Sequence, residues 1–196
     1  MGSGPKEDDV ARCCDLIRRR ASGRKRTIVG IAGPPASGKS TLAEAVVVQL
    51  NTKTGTAALL PMDGYHLDNN LLQDRGLLAR KGAPQTFDAA GFCGDLKALS
   101  AAQDTRFFPT FDRQCDISIA QAIAIPADTP IIVVEGNYLL LDVAPWDSLN
   151  SVLAATIFVA PPQATLRTRL LQRWRDHGLS DADALTRAEL NDLPNA

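Results

Sequence analysis

The residues of this sequence most capable of chemistry form a glycine-rich stretch that is typical of phosphate-binding loops. The stretch fits the pattern G-x-x-x-x-G-K-[ST] and consists of Gly33, Pro34, Pro35, Ala36, Ser37, Gly38, Lys39, Ser40 and Thr41. In such a loop the backbone N–H groups surround a phosphate chain, and the glycines allow close approach. Lys39 can reach the β- and γ-phosphates, and the Ser40 hydroxyl can ligate Mg²⁺. The stretch predicts a nucleoside triphosphate site.

The segments on either side of this loop support the same prediction. Residues 27–32 are a short apolar run rich in β-branched side chains, which predicts a strand. The sequence from Lys39 to Gln49 predicts a helix. A strand, a glycine loop and a helix N-terminus form the arrangement in which the helix dipole adds to phosphate binding.

Two carboxylates follow predicted strands and are candidates for catalysis. Asp63 comes after the strand predicted for residues 56–60, and Glu135 directly follows the strand predicted for residues 131–134. If these strands are parallel, both side chains meet the phosphate-binding loop at one edge of the sheet. We assign Asp63 as general base and as a holder of metal-bound water, and Glu135 as the second carboxylate near Mg²⁺. The alternative is that each carboxylate caps the turn at its neighbouring glycine.

A basic helix is predicted late in the chain. Four arginines lie on the segment 163–176: Arg167, Arg169, Arg173 and Arg175. Arg169 and Arg173 share one face at spacing i, i+4, and on a mobile segment they can close over a triphosphate and stabilise charge in the transition state. The alternative is that they form the solvated face of an amphipathic helix.

The composition limits the possible classes of protein. The 196 residues are 45% hydrophobic, which suits one well-buried domain, and the net charge of −1 gives no global field for nucleic acid or anionic membranes. No segment has the roughly 20 apolar residues of a membrane span, and the N-terminus is unlike a signal peptide. The four cysteines show no zinc-like or C-x-x-C spacing, and the adjacent pair Cys13 and Cys14 is expected to be two reduced thiols on a helix. The chain is therefore expected to be cytoplasmic.

The remaining pattern predicts an α/β fold with a parallel sheet. A lead-in and a helix over residues 7–20 occupy the N-terminal part, 1–26, and a single domain follows over 27–196. Further helices are predicted over 88–100 and 180–191, and a strand over 155–159. An insertion of about 64–125 contains loops that mix charges with aromatic rings, which suits a small polar substrate or a plain connector. His66 lies close to Asp63 in this insertion and is either a substrate contact or a hydrogen-bonded structural residue.

Several motifs together resemble the phosphoribulokinase, uridine kinase and pantothenate kinase family. They are the glycine loop, Met-Asp-Gly-Tyr-His-Leu at 62–67, Arg-Lys-Gly-Ala-Pro at 80–84 and Val-Glu-Gly-Asn-Tyr at 134–138. The likeness runs from about residue 27 to residue 195, and within the family it is strongest to the bacterial fructose transport system kinase, or fructokinase-like, branch. The resemblance implies a three-layer α/β/α P-loop fold with a lid helix over about 161–180.

The resemblance also implies roles for individual residues. The aspartate after the second strand is the catalytic base in such kinases and matches Asp63, and the glutamate of the Glu-Gly pair matches Glu135. Lys81, Asp112 and Arg113 fall in segments similar to substrate-side elements. Phe-Asp-Arg at 111–113 differs from the Tyr-Asp-His of uridine kinases. Related kinases usually add a last strand near the adenine after Asn-Asp-x-x-Asn, whereas this sequence ends at residues 191–196, so either the polypeptide is shortened or the last strand is missing.

The leading hypothesis is an ATP- and Mg²⁺-dependent kinase that phosphorylates a hydroxyl of a small metabolite, with a sugar favoured by resemblance. A pantothenate-like alcohol and a nucleoside hydroxyl satisfy the same catalytic geometry. A regulatory P-loop NTPase is a second class, although the Asn-Lys-x-Asp and Leu-Ser-Gly-Gly-Gln motifs of its common forms are absent from the sequence. A nucleotide-binding protein without turnover is a third, and it would not need Lys39, Ser40, Asp63 and Glu135 together.

Overall fold

The computed structural model describes residues 4–52 and 57–195. Within these residues the strands are β1 (Thr27–Ala32), β2 (Ala57–Pro61), β3 (Arg106–Asp112), β4 (Ile117–Ile125), β5 (Ile131–Gly136) and β6 (Ala155–Phe158). The α-helices of the same described ranges are α1 (Glu7–Ala21), α2 (Lys39–Asn51), α3 (Asn69–Asp74), α4 (Ala89–Ser100), α5 (Gln163–Asp176) and α6 (Asp181–Arg187). The predicted start of the second strand at residue 56, and part of the lead-in, lie outside the described residues.

Four of the strands form a parallel sheet in the order β2-β5-β1-β6. Every residue of β1 is buried, as expected for a central strand covered on both faces. Successive side chains of β1 point to opposite faces, so Ile28 joins one core while Val29 and Ile31 join the other. The three-layer α/β/α prediction is confirmed.

Helices α1 and α2 cover one face of the sheet. The core-facing side of α1 repeats at helical spacing through Val10, Cys13, Cys14 and Ile17, all buried. Acidic side chains occupy the first turn of α1 and basic ones the last, an arrangement that the helix dipole favours. The opposite face of the sheet is covered by α4 and a short helical turn at Trp146–Ser151.

The insertion between β2 and β5 contains regular structure that the sequence analysis missed. Strands β3 and β4 form a separate antiparallel hairpin, and α3 is a six-residue helix capped by the Asp68 carboxylate. The hairpin carries Arg113 in its turn and packs against the short helical turn Met62–Tyr65. The insertion is therefore a folded arm beside the end of β2.

The last part of the chain is helical. The helix predicted over 180–191 consists of α6 followed by a π-helical turn at Ala188–Asp192. Both segments pack on α5. Within the described residues, no helix is long and apolar enough to cross a membrane.

Candidate active site

The phosphate-binding loop connects β1 to α2 with the backbone conformation that its glycines allow. Gly38 precedes α2 at φ 94°, in the left-handed region. A side chain at Gly33 would place its Cβ 2.7 Å from the Val159 carbonyl oxygen and 2.8 Å from the Ser37 Oγ. Both glycines are therefore required by the shape of the loop, and the N-terminus of the 13-residue helix α2 lies directly behind it.

Lys39 and Glu135 are buried side by side at the end of the sheet. Their relative exposures are 7% and 3%, and Lys39 Nζ lies 3.9 Å from Glu135 Oε2. Burial lowers the pKa of Lys39, and the nearby Glu135 and Asp63 carboxylates oppose that shift. Burial raises the pKa of Glu135, and Lys39 opposes that shift. Each side chain is thus shielded from water, and the opposite charge of the other partly offsets the cost of burying it.

The surroundings of Glu135 fit a divalent cation. Its Oε2 atom is buried without a hydrogen-bond partner, and the nearby Ser40 hydroxyl acts to lower the pKa of the carboxyl. A hydroxyl, a carboxylate and substrate phosphates form the oxygen set that Mg²⁺ prefers in kinases. No group of three or more His, Cys, Asp or Glu side chains that could hold a metal was found among the described residues. A cation held here would therefore depend on phosphate oxygens as further ligands.

Asp63 lies at the same edge of the sheet, in the helical turn that follows β2. The pairing of Pro61 with Glu135 places the ends of β2 and β5 next to each other, as the parallel arrangement predicts. Arg113 reaches back from the β3–β4 turn, and its Nη2 donates to Asp63 Oδ2 at 2.5 Å. The Asp63 side chain is 15% exposed, whereas that of Arg113 is 50% exposed. The candidate base is thus paired with a half-exposed cation.

The four arginines of α5 divide into two pairs. Arg169 Nη1 donates to the backbone oxygens of Ala36, at 3.3 Å, and Ser37, at 3.1 Å, so it binds the phosphate loop directly. Burial and the positive charge of Arg113 lower the pKa of Arg173, and both arginines line the cavity beside the phosphate loop. The other two arginines pair within the C-terminal helices: Arg167 with Glu189 and Arg175 with Asp181.

Two of the predicted substrate residues, His66 and Lys81, lie beside the ring of Phe111. His66 lies between Phe87 and Phe111 with centroid distances of 4.1 and 4.5 Å, and its Nδ1 is 2.8 Å from the Asp63 carbonyl oxygen. Burial lowers the pKa of His66. Lys81 Nζ lies 5.1 Å from the centre of the Phe111 ring. A third predicted substrate residue, Arg113, instead pairs with the Asp63 carboxylate.

Asp112 has a different environment. Its carboxylate accepts hydrogen bonds from the backbone N–H groups of Gln114, at 2.8 Å, and Cys115, at 3.0 Å. The bonds from Cys115 and Gln114 lower the pKa of Asp112. Asp112 therefore closes the hairpin turn that presents Arg113.

Sequence reasoning missed the residues that hold the Lys81 segment in place. Lys81 Nζ donates to Asn69 Oδ1 at 2.6 Å and pairs with Asp116 Oδ1 at 2.9 Å. The Lys81 carbonyl oxygen accepts from Arg187 and Asn191, each at 3.2 Å. The Asn-Asp pair at 191–192 was visible as part of a family pattern, but its contact with residue 81 depends on the folding of α6 back over the insertion.

A cavity of about 1490 Å³ opens from the phosphate loop. At one end its lining includes Lys39, Arg113, Arg169 and Arg173. It continues past the first turn of α2 to α1 and to the segment that joins β6 to α5. The cationic end suits a polyphosphate, and the total volume exceeds the roughly 300–1,000 Å³ of ordinary ligand pockets.

Known proteins resemble this chain over most of its length. It is 36% identical to the uncharacterized protein YggC of Escherichia coli over 174 residues, 88% of this chain and 72% of that protein. It is 30% identical over 193 residues to a candidate uridine kinase, C227.14, of Schizosaccharomyces pombe, covering 94% and 80% of the two chains. A pantothenate kinase of Limosilactobacillus reuteri is 33% identical over 122 residues, 60% of this chain and 39% of that enzyme. No protein-family model matches the chain.

A solved structure gives the same result. The crystal structure of a candidate fructose transport system kinase from Silicibacter sp. TM1040 superimposes with a TM-score of 0.90 at 43% identity, covering 95% of this chain and 91% of that one. The chain belongs to the P-loop kinase family that includes uridine kinase and pantothenate kinase. The family relationship predicted from the motifs is thereby confirmed.

Proposed function

We propose that this protein is an ATP- and Mg²⁺-dependent kinase that transfers the γ-phosphoryl group to a hydroxyl of a small metabolite, with a sugar such as fructose as the acceptor class. One observation carries the proposal: Asp63 and Glu135 converge with Lys39 at the same edge of the parallel sheet. Phosphoryl transfer needs charge neutralisation and a base for the acceptor hydroxyl, and this edge offers groups for both.

The nucleotide side of the proposed reaction uses the loop and the lid. The backbone N–H groups of the loop and the Lys39 ammonium bind the phosphates, and Arg169 holds α5 against the loop. Arg173 lines the same cavity as Arg113 and adds positive charge where the transferring group would develop negative charge. Ser40 and Glu135, with metal-bound water at Asp63, would hold Mg²⁺, which supplies charge neutralisation at the phosphate oxygens.

The acceptor side uses Asp63 and the residues around Phe111. An acceptor hydroxyl that replaces Arg113 at the Asp63 carboxylate is positioned to lose its proton to that carboxylate. Arg113 is then released toward the transferred phosphoryl group. His66 packs its ring against Phe111, and Lys81 places its ammonium group beside the same ring. An aromatic surface with a cation suits a small polar acceptor.

The choice of a sugar rests on the Silicibacter kinase, which at 43% identity is named for fructose transport. Relatives named for uridine and pantothenate are 30% and 33% identical, and the pantothenate kinase match spans only 39% of that enzyme. Phe111-Asp112-Arg113 also departs from the motif of uridine kinases. Pantothenate and uridine are the competing acceptors.

The test is ADP release from Mg²⁺-ATP across a panel of sugars, nucleosides, pantothenate and a control without acceptor. The expected result is release that depends on a sugar and is lost in Asp63→Asn. Release that depends on pantothenate or a nucleoside would keep the kinase and replace the acceptor. Release that is equal with every acceptor and with none would contradict the kinase proposal and favour a regulatory NTPase.

A further inference from the structure

The C-terminal segment contains a buried carboxylate that the proposed reaction does not use. Asp192 is 8% exposed and ends the π-helical turn at Ala188–Asp192, within the Asn-Asp-x-x-Asn run noted in the sequence. A carboxylate is almost never buried without a partner, because desolvation disfavours its charge. The partner is an indole, since Asp192 Oδ2 accepts a hydrogen bond from Trp174 Nε1 at 2.5 Å. The Asp192 carboxylate therefore joins the C-terminal segment to α5.

The indole that Asp192 holds lies beside two guanidinium groups. The centre of the Trp174 ring is 5.4 Å from Arg173 Cζ and 5.1 Å from Arg187 Cζ, close enough for cation–π attraction. Burial raises the pKa of Asp192, while the Trp174 hydrogen bond and the charges of Arg173 and Arg187 oppose that rise. The carboxylate, the ring and the two cations thus form one cluster at the junction of α5 with the C-terminal segment.

The neighbours of Asp192 keep it in a fixed place. Asn191 Nδ2 donates to the Lys81 carbonyl oxygen at 3.2 Å, and Arg80 Nη1 donates to the Leu190 carbonyl oxygen at 2.9 Å. Asn191 is itself only 4% exposed. The C-terminal segment is therefore anchored on the loop around Lys81, and Asp192 offers α5 a rigid hydrogen-bond acceptor.

The position of Arg173 depends on how α5 is oriented. Arg169 attaches α5 to the phosphate loop through its bonds to the carbonyl oxygens of Ala36 and Ser37. This single attachment leaves the helix free to turn about its axis. Trp174 follows Arg173 by one residue, about 100° around the helix, so a hydrogen bond from its indole fixes the direction in which Arg173 points. In this structure Arg173 lines the cavity beside the phosphate loop.

We propose that Asp192 is a positioning residue, which holds α5 through Trp174 in the orientation that brings the Arg173 guanidinium to the γ-phosphate. The inference rests on the proposed function, because that function places Arg173 at the transferring phosphoryl group. In this role Asp192 contacts no substrate atom. It acts on the nucleotide only through Arg173, so its contribution to nucleotide binding must disappear when Arg173 is removed.

The test compares the affinities for Mg²⁺-ATP and Mg²⁺-ADP, which differ by the γ-phosphate, by calorimetry on the full chain. Arg173→Ala removes the cation, Asp192→Ala removes the acceptor, and Trp174→Phe removes the indole donor but keeps an aromatic ring. We expect each variant to bind Mg²⁺-ATP about 5- to 20-fold more weakly, with the affinity for Mg²⁺-ADP changed less than about twofold. The double variant Arg173→Ala/Asp192→Ala should bind Mg²⁺-ATP no more weakly than Arg173→Ala, because residues that act through one another are not additive.

Glu189→Gln is the matched control. Glu189 lies in the same π-helical turn and also pairs with α5, since its Oε1 lies 2.6 Å from Arg167 Nε. Arg167 lies outside the lining of the cavity, so this variant weakens the same junction away from Arg173 and should change neither affinity. Melting temperatures show whether each variant is folded. If Asp192→Ala does not fold, Trp174→Phe supplies the test.

The hydrogen bond itself is checked by the indole signals in a proton–nitrogen correlation spectrum. The sequence has two tryptophans, so two signals are expected, and the signal lost in Trp174→Phe belongs to Trp174. Asp192→Ala should shift that signal, whereas Glu189→Gln should leave it in place. An unshifted Trp174 signal in Asp192→Ala would overturn the inference.

The remaining outcomes separate this inference from the proposed function. If Asp192→Ala and Trp174→Phe weaken both nucleotides equally, or add to the effect of Arg173→Ala, Asp192 only stabilises the fold and the inference is wrong. If these two variants keep the affinity of the unmodified protein for Mg²⁺-ATP, the inference is wrong while the kinase proposal stands. If the unmodified protein binds neither nucleotide, the proposed function itself fails.

Discussion

The two sides of the candidate site are stabilised in different ways. On the nucleotide side, Lys39 and Glu135 are almost completely buried at the end of a sheet whose strands are fixed by parallel pairing. On the acceptor side, the ion pairs that hold Arg113 and Lys81 each include a side chain that is about half exposed. The nucleotide side is built by the core, whereas the acceptor side is held by contacts between loops.

This difference has an energetic consequence. Removing one partner of a buried ion pair typically costs about 3–5 kcal/mol, whereas exposed pairs contribute about 0–1 kcal/mol. A ligand can therefore displace the pairs of the acceptor side at small cost. The phosphate loop is preformed, and the acceptor side is expected to rearrange when its substrate binds.

The largest effect on turnover is expected at Asp63, where the nucleotide side and the acceptor side of the site meet. Asp63→Asn removes the candidate base but keeps its size, so turnover should fall ~10²- to 10⁴-fold, the usual contribution of general-base catalysis. The affinity for Mg²⁺-ATP should stay largely intact. Steady-state rates and calorimetry measure the two quantities. Asp104→Asn, which changes an exposed carboxylate on the connection before β3, serves as control, and equal activity in both variants would remove Asp63 from its role.

A change on the nucleotide side should affect binding as well as rate. Lys39→Ala removes a charged donor to phosphate and should weaken Mg²⁺-ATP about 10- to 100-fold, with a lower rate as well. The comparison variant is Lys97→Ala, at an exposed position of α4. An unchanged dissociation constant for Mg²⁺-ATP in Lys39→Ala would show that the lysine does not bind the phosphates.

A substitution on the acceptor side should affect the KM for the acceptor and not the KM for ATP. Arg187 donates to the backbone oxygens of Ala79, at 2.8 Å, and Lys81, at 3.2 Å, and so ties α6 to the loop that carries Lys81. Arg187→Ala should raise the KM for the acceptor about 5- to 10-fold while the KM for ATP changes less than about twofold. A parallel rise in both values would contradict the separation of the two sides, and Arg20→Ala provides the unaffected reference.

The smallest effect concerns stability and pH. Burial holds the pKa of His66 below 6.5, its ordinary value, so near that pH the unfolded chain binds a proton that the folded chain does not. The free energy of unfolding is therefore not reduced by His66 at higher pH, where the side chain is neutral in both states. It declines as the pH falls through about 6.5, by at most about 1.4 kcal/mol per pH unit. Urea unfolding at several pH values should show a smaller acid-induced loss in His66→Asn than in the unmodified protein. Identical pH profiles would contradict this prediction.

The sequence was most informative where function depends on a continuous segment. The glycine loop, the strand before it and the helix after it were all predicted, because phosphate binding by backbone N–H groups requires a fixed local spacing. The ends of β2 and β5 could be inferred as well, since buried parallel strands appear as apolar runs. That reasoning predicted that Asp63 and Glu135 lie at one edge of the sheet, and the pairing of β2 with β5 places them there.

The sequence was less informative where contacts join distant segments. The β3–β4 hairpin was interpreted as loops because alternating Ile and Ala in β4, with mostly exposed side chains, carry little of the polar–apolar pattern of a half-buried strand. The contact between Arg113 and Asp63 joins residues 50 apart in the sequence, and the hydrogen bond from Arg187 to Lys81 joins residues 106 apart. No local spacing encodes such contacts.

The sequence by itself determined the nucleotide side of this protein, namely a phosphate loop, a buried lysine and two carboxylates at strand ends, because backbone geometry and hydrophobic periodicity are local properties. Only the tertiary structure decided which arginines reach the loop and which pair with neighbours, that Asp112 closes a turn, and that α1 borders the same cavity as the loop. Those outcomes depend on which helix packs against which, and packing is settled by the burial of the whole chain at once.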